Sequence, residues 1–451
     1  DFARQTATAV RLEDLYRWGR GDSSTRLQMA KFLHKEIAIR NAQLCKELRV
    51  LPFGLADTQG VCEVIRCFSS YVDRLAESER PERPEDDERF TETLRGILED
   101  STQVVRTLGH GVTEVREAMG EKRYEDVRKE VDHILDRFFI KRIGLRFLLQ
   151  HYIEAAETRS GVSGIIHSDV QVGRILRAEA QEARRKCREL YGVAPEVVVV
   201  GDGEDFDPAM PSRMSPGSSL YENPNLSYDR QFTYVPIHLQ FSCSVLLQNA
   251  CFSVAESFIR RHGAPRAGDA DAARGMPPVQ AILSHGEEEV AIRISDEGGG
   301  IPRSNHWKAW SYFGALASDG AACSSSERQS QLGWRHSAPL GAGNPSGAGL
   351  PLARLHARYY GGDLVLKSIE GFGTDAHLFL NRLGHNCEKL PHGVRVSPSM
   401  RDSSIGQEMS LDALGTMSPS EVALLRKRLA DFRRARAGSV ARLGASGDVL
   451  G

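Results

Sequence analysis

The stretch 290–302, VAIRISDEGGGIP, sets the tightest limit on how this chain can fold. Val290, Ile292 and Ile294 alternate with polar or small neighbours, the period-two pattern of a half-buried strand. The strand ends at Asp296, and Gly298, Gly299 and Gly300 follow before Ile301 and Pro302. Consecutive glycines permit positive φ and let the backbone approach a ligand with no Cβ in the way. A carboxylate at a strand end followed by bare backbone has the parts to hold a purine. The acid accepts from an exocyclic amine while the ring lies over the glycines. Equally compatible with this stretch alone is a glycine-rich turn with a solvated Asp296.

A second glycine cluster, GAGNPSGAGLP at 341–351, runs directly into a helical pattern with Leu352, Leu355 and Tyr359 on one side. A glycine loop that opens a helix presents unpaired N–H groups at the positive end of the helix dipole, which suits phosphate. A strand-like stretch at 363–369 follows, then the turn Gly371-Phe372-Gly373-Thr374-Asp375. The order is an Asn-bearing helix, D-x-G-G-G, G-x-G, then G-T-D. That order resembles the ATP-binding domain shared by gyrase, the heat-shock chaperones, sensor histidine kinases and the mismatch-repair ATPases, the GHKL type.

SDEGGGIP, APL with GAGLPLARLHARYYGGDL, and EGFGTDAHLFL together narrow the match. With FLHKEIAIRNAQLCKELRVLP (32–52) and LDRFFIKRIGLRFL (135–148), they resemble the mitochondrial 2-oxo acid dehydrogenase kinases, the pyruvate and branched-chain dehydrogenase kinases. The resemblance spans residues 27 to 383, and several motifs in the correct order outweigh any lone glycine motif.

Composition sets the bounds. A chain of 451 residues has room for about two to three domains. Its 41% hydrophobic and 26% charged content is that of an ordinary globular protein. A net charge of −2 gives no electrostatic reason to expect nucleic acid or an anionic membrane. The eight cysteines include no C-x-x-C and no Cys/His group at zinc spacing, which reads as free thiols in a reducing compartment. No apolar run reaches the roughly 18 residues of a membrane span. The chain opens at Asp1 without methionine, which leaves room for a trimmed targeting segment.

The expected fold class is α+β, an N-terminal helical bundle followed by a GHKL-type α/β sandwich that binds ATP. The expected divisions are an N-terminal segment (1–26), a bundle that by the resemblance docks a lipoyl domain (27–192), the ATP-binding domain (193–384) and a tail (385–451). Insertions interrupt the third unit at 201–230, 263–276 and 318–336. Helices are expected over 62–75, 90–119, 125–152, 169–191 and 237–261, and strands over 196–200, 231–235, 279–283 and 289–295. Residues 77–89 read as a charged linker and 385–418 as loop. The stripe Ile134, Leu135, Phe138, Phe139, Leu145 and Leu148 reads as core, with Arg137, Arg142 and Arg146 beside it solvated or paired. Residues 421–436 form a basic amphipathic helix that either packs on the protein or serves as an interaction tail.

The resemblance implies particular site residues. Asn249 matches a family asparagine whose side-chain oxygen is a hard ligand for Mg²⁺. Asp296, Gly298, Gly300 and Thr374 match the adenine side, and Gly347 and Gly349 the phosphate loop. The family glutamate four residues before the asparagine is here Val245, its histidine four before that is Phe241, and the basic residue three after the asparagine is Phe252. No catalytic residue can therefore be named. The histidine that precedes a Val-Val pair in the family is Ser101 here, before Val104 and Val105, with His110 beyond the pair, which counts against a two-component histidine kinase.

By the resemblance, the chain is a protein-serine kinase that inactivates the dehydrogenase component of a mitochondrial 2-oxo acid dehydrogenase complex, using Mg²⁺ and ATP. The same resemblance implies the mitochondrial matrix, a homodimer, and docking on a lipoyl-bearing acyltransferase. The alternative is an ATP-binding pseudokinase that regulates the complex by binding. The family's Asp-Trp pair in the tail is missing, since no tryptophan follows Trp334.

Overall fold

Capping residues explain where the long helices begin. The Asp22 carboxylate accepts from the Thr25 N–H (2.9 Å) ahead of α2 (Ser23–Arg49), and the Thr58 hydroxyl accepts from the Val61 N–H (3.3 Å) ahead of α3 (Gln59–Glu77). A short α1 (Leu12–Trp18) precedes them. After a one-turn 3₁₀ segment, Pro84–Asp86, come α4 (Asp87–Asp100), α5 (Val104–Met119), the 34-residue α6 (Glu121–Glu154) and α7 (Val172–Tyr191). Gly192 closes α7 in the left-handed conformation (φ 78°), open at little cost only to glycine. The computed structural model describes residues 2–156, 160–201, 232–263, 273–286, 289–313, 347–382 and 387–391, with the backbone of 395 and 396.

The expected single helix over 90–119 is broken at Ser101–Gln103, a 3₁₀ turn. The Ser101 hydroxyl donates to the Leu98 carbonyl (2.9 Å), and its own carbonyl accepts from Arg142 (2.7 Å), so local side-chain bonding replaces the helical ladder. The α6 stripe is core, as expected: Leu135, Phe138, Phe139, Leu145 and Leu148 are buried. Arg137 pairs with Glu47 (2.9 Å), whereas Arg142 and Arg146 are buried and donate to the Ser101 carbonyl and hydroxyl.

A short antiparallel hairpin, β2 (Val162–Ser163) with β3 (Ile166–His167), follows α6. A five-stranded mixed sheet has the order β4–β5–β6–β8–β7: β4 (Val197–Val200), β5 (Val279–His285), β6 (Glu289–Asp296), β8 (Gly373–Asn381) and β7 (Asp363–Ile369). Only β4 and β5 run parallel. Alternate residues Val290, Ile292, Ile294, Ala376, Leu378 and Leu380 are buried, so one face carries the core. Two helices, α8 (Pro236–His262) and α9 (Gly349–Tyr359), pack on that core, and α9 also packs against α6. Pro236 occupies the first turn of α8, where its missing N–H costs nothing.

Two further expectations need correction. The strand expected over 231–235 is reduced to an isolated antiparallel bridge between Tyr234 and His167, because Pro236 turns the backbone into α8 at once. Gln231 lies outside the described residues. The tail is not all loop either. Cys387 bridges Arg11, and β9 (Arg395–Val396) runs parallel to β1 (Thr8–Ala9). Glu388 is buried there. It accepts from Arg40 (2.8 Å) and the Val10 N–H (3.1 Å), and the Tyr359 hydroxyl donates to it. The insertion at 201–230 beyond Gly201, most of that at 263–276, all of that at 318–336 and the helix at 421–436 lie outside the described residues. Seven described cysteines are free thiols, and no described helix is long and apolar enough to cross a membrane.

Candidate nucleotide site

Asp296 closes β6 and pairs in register with Thr374 on β8, so the alternation that buries Ile294 and Ala376 points both toward the helices. Its Oδ1 accepts from the Gly298 N–H (2.9 Å). Burial pushes the carboxyl up to about 6, although the Gly298 and Thr374 N–H groups pull it down; Asp375 adds a smaller upward push. A carboxylate held at a strand end at this cost is suited to accepting from a donor that arrives with a ligand.

The glycine loop is locked to the β7–β8 hairpin. The Gly299 N–H donates to the Phe372 carbonyl (3.1 Å), the Gly371 N–H to the Gly299 carbonyl (2.8 Å), and the Ile301 N–H to Ser368 Oγ (2.7 Å). Ser368 Oγ in turn lies 2.9 Å from the Thr374 hydroxyl. Asp296, Gly298 and Thr374 thus belong to one hydrogen-bonded unit, and Gly300 sits within it between the bonded Gly299 and Ile301. The reason for glycine is sharper than the sequence allowed. A Cβ on Gly298 would stand 2.1 Å from Ser253 Oγ of α8, and one on Gly300 (φ 69°) 2.1 Å from the Ile369 carbonyl oxygen. Close packing of the protein on itself, not ligand approach alone, requires both.

Asn249 is exposed on α8, one turn before the Ser253 that meets Gly298. Val245, one turn earlier, is partly exposed, and Phe241 is buried with its ring 5.1 Å from that of His356 on α9. Phe252 packs on Tyr191 at 5.6 Å. The helix side on which the family carries its proton-handling pair is therefore lined with hydrocarbon. His238 and His356 lie behind it, rings 4.6 Å apart, and burial holds both well below the usual imidazole range, His238 at about 3. Both are neutral at physiological pH and neither replaces a carboxylate.

Gly347 (φ 70°) precedes the N-cap of α9, Ala348, and Gly349 is the first helical residue. The glycines stand at a helix N-terminus, as the sequence predicts; residues 341–346 of the same loop lie outside the described residues. A cleft of 710 Å³ opens at this end of the sheet. Asp296 and Thr374 line it together with Arg293, Ser295, Lys367 and Asp375 of the opposite sheet face, but no residue of α8 or α9 does. Asn249, Gly298, Gly300, Gly347 and Gly349 lie outside it, so this cleft is not the space between sheet and helices. Among the described residues no group of three His, Cys, Asp or Glu side chains could hold an ion by itself. Sequence reasoning missed Ser253, Ser368 and the Asp132–Tyr312 contact described below. None of them carries a motif, because each matters through a neighbour far away in sequence.

Known proteins place the chain. The family described as "Mitochondrial branched-chain alpha-ketoacid dehydrogenase kinase" matches residues 9–175. The mitochondrial pyruvate dehydrogenase (acetyl-transferring) kinase of Arabidopsis thaliana is 32% identical over 388 residues, covering 85% of this chain and 93% of the relative. That of Drosophila melanogaster is 28% identical over 80% of this chain and 78% of its own. Isozyme 3 of Homo sapiens is 28% identical over 86% and 87%. With a 32% identical relative matched almost end to end and a family model matching residues 9–175, the chain belongs to the mitochondrial pyruvate dehydrogenase kinase family.

Proposed function

We propose that this chain is an ATP-binding protein kinase of the pyruvate dehydrogenase kinase type, with phosphate transfer slowed by the apolar replacement at Val245. The observation that carries it is the bonded unit of Asp296, the glycine loop and Thr374 facing a helix that keeps Asn249 but not the proton acceptor. The sheet and its two helices would be a GHKL-type domain beginning near residue 193, after a helical bundle from 27 to 192. Asp296 would accept from the adenine amine, and Gly298 and Gly300 would keep the backbone under the ring. Gly347 and Gly349 would offer N–H groups to the phosphates. The exposed Asn249 fits a Mg²⁺ that arrives with nucleotide, since that ion commonly takes one or two protein oxygens and completes its shell from phosphate and water. When bound, it would neutralise charge on the transferring phosphoryl group.

The acceptor would be a serine of the dehydrogenase component of a 2-oxo acid dehydrogenase complex in the mitochondrial matrix. The helical half would dock the lipoyl-bearing acyltransferase, and the protein would work as a homodimer. What the relatives are named and the resemblance support this reading. A second reading, a pseudokinase that regulates the complex by binding nucleotide alone, is favoured by the joint loss at Val245 and Phe241. One preparation decides between them. Calorimetry with Mg-ATP should give saturable binding, and labelled phosphate should pass slowly to the dehydrogenase. Binding without any transfer favours the pseudokinase, and neither binding nor transfer overturns both.

A further inference from the structure

The segment 303–313 leaves the Asp296 loop and ends at the head of α9, where the Phe313 N–H donates to the Gly347 carbonyl (3.2 Å). It therefore touches both glycine loops of the proposed site. What holds it comes from the helical half. The Asp132 carboxylate of α6 accepts from the Tyr312 N–H (3.0 Å) and the Ser311 hydroxyl (3.2 Å). Asp136, one turn on, accepts from the Tyr312 hydroxyl (2.6 Å), and the Tyr312 ring stacks on Phe139 at 5.0 Å. Arg128 pairs with Asp132 (2.7 Å) and lies 3.6 Å from the centre of the Trp307 ring. From α5, Arg116 donates to the Phe313 carbonyl (3.1 Å), and Gly109 leaves room for the Phe313 ring, which a Cβ there would meet at 2.9 Å.

Two features separate this contact from ordinary packing between two halves of a protein. Phe313 sits at φ 57°, a conformation that a bulky residue holds only where its surroundings impose it. Both carboxyls are pushed up by burial, against the pull of Tyr312, Arg358, His133 and Arg354 on Asp136 and of Tyr312, Ser311 and Arg128 on Asp132. Apolar side chains would dock the segment without that desolvation cost. What carboxylates add is direction, fixing the Tyr312 N–H and hydroxyl and hence the turn that presents Phe313 to Gly347.

We infer that Asp132 and Asp136 are positioning residues: by gripping Tyr312, α6 sets the head of α9, so that the helical half tunes nucleotide affinity through the Phe313–Gly347 hydrogen bond. The inference rests on the nucleotide reading given above, and the test keeps the two apart. Asp136→Asn keeps the shape and removes the charge; Tyr312→Phe keeps the ring on Phe139 and removes only the hydroxyl. Each variant and the pair together are titrated with Mg-ADP in a calorimeter. Amide hydrogen exchange without nucleotide is followed across α9 and, as a control, across β6. Each single change should weaken ADP binding about three- to tenfold, the usual size of a coupling between neighbouring elements. The double variant should lose no more than the more affected single, and exchange should quicken at the first turns of α9 but not in β6. A structural loss alone would speed both elements together and overturns the inference. Wild-type affinity in variants of a binding-competent protein overturns it too, and Tyr312→Phe keeps the test available if Asp136→Asn fails to fold. Should the unmodified protein bind no ADP, the nucleotide reading fails, and selective exchange at α9 still decides whether the junction exists.

Discussion

The two sides of the proposed site are built on opposite terms. On the sheet side, Asp296, Gly298, Ser368 and Thr374 are linked by hydrogen bonds of 2.7–2.9 Å running to the hairpin and the glycine loop. On the helix side, Val245, Phe241 and Phe252 present hydrocarbon, and the polar Asn249 and Ser253 supply no carboxylate or imidazole. The sheet side is costly polar architecture kept intact, whereas the helix side lacks what a proton transfer needs. On the reading proposed above, binding and chemistry would be separable in this chain, a division that phosphoryl transfer permits because so much of it is positioning and charge stabilisation.

Changing the helix side should have the largest effect. Val245 offers no proton acceptor, so transfer to a dehydrogenase substrate should run at least ~10²-fold slower than in an active relative, the low end of what a general base supplies. Val245→Glu alone should recover little, since a carboxylate beside Phe241 would be partly desolvated and its pKa raised. Adding Phe241→His should recover more by orienting and charging it. Phosphate incorporation at saturating ATP is the measurement, and wild-type turnover equal to that of a relative would end the contrast between the two sides.

Next comes the sheet side itself. Asp296→Ala should remove a hydrogen bond to a charged group and weaken ATP about 10- to 100-fold in calorimetry. Unchanged affinity would return Asp296 to the solvated-turn reading. The same residue makes the comparison pH-dependent. Its carboxyl titrates at about 6, and an adenine amine needs the ionised form as acceptor, so ATP affinity should fall as pH drops through that value. The loss approaches about tenfold per pH unit below it. Stability runs the other way: the raised native pKa means the folded protein takes up the proton first, so this group's contribution is present at low pH and lost as pH rises through about 6. Asp296→Asn should flatten both profiles, read by titration and by thermal unfolding from pH 5 to pH 8. The smallest effect is expected at Thr374→Val, which removes one hydroxyl contact to Ser368. About 1 kcal/mol, or about fivefold in ATP affinity, is at stake there.

Much of this was legible in the sequence, and what was not has a common cause. The period-two run at Val290, Ile292 and Ile294 gave a strand because half-burial leaves an alternating trace. Pro236 and Gly349 marked helix starts because caps are local chemistry. Ser101 breaks a helix that looks continuous, since the donors that compete for it, Arg142 and Arg146, sit on α6, more than 40 residues away. The glycines of the Asp296 loop stand out in the sequence, but their neighbours Ser253 and Ile369 are set by packing that no local pattern encodes. Glu388 was read as part of a loop because its partner Arg40 lies 348 residues earlier.

That last pair has a consequence for the order in which the chain can finish folding. Arg40 is buried on α2, and although Glu36 pairs with it (2.8 Å), Glu388 supplies its other carboxylate. A chain synthesised from its N-terminus completes α2 and α6 long before residue 388 exists. Until then the guanidinium either stays in water, with the first strand unpaired, or sits in the core with Glu36 as counter-charge but without the carboxylate that accepts from its outer nitrogens. Sealing the N-terminal strand is thus among the last events, and it reports that the C-terminal half, Tyr359 included, has arrived in place. A chain ending before Glu388 would keep every helix of the bundle and still lack the bond that closes it.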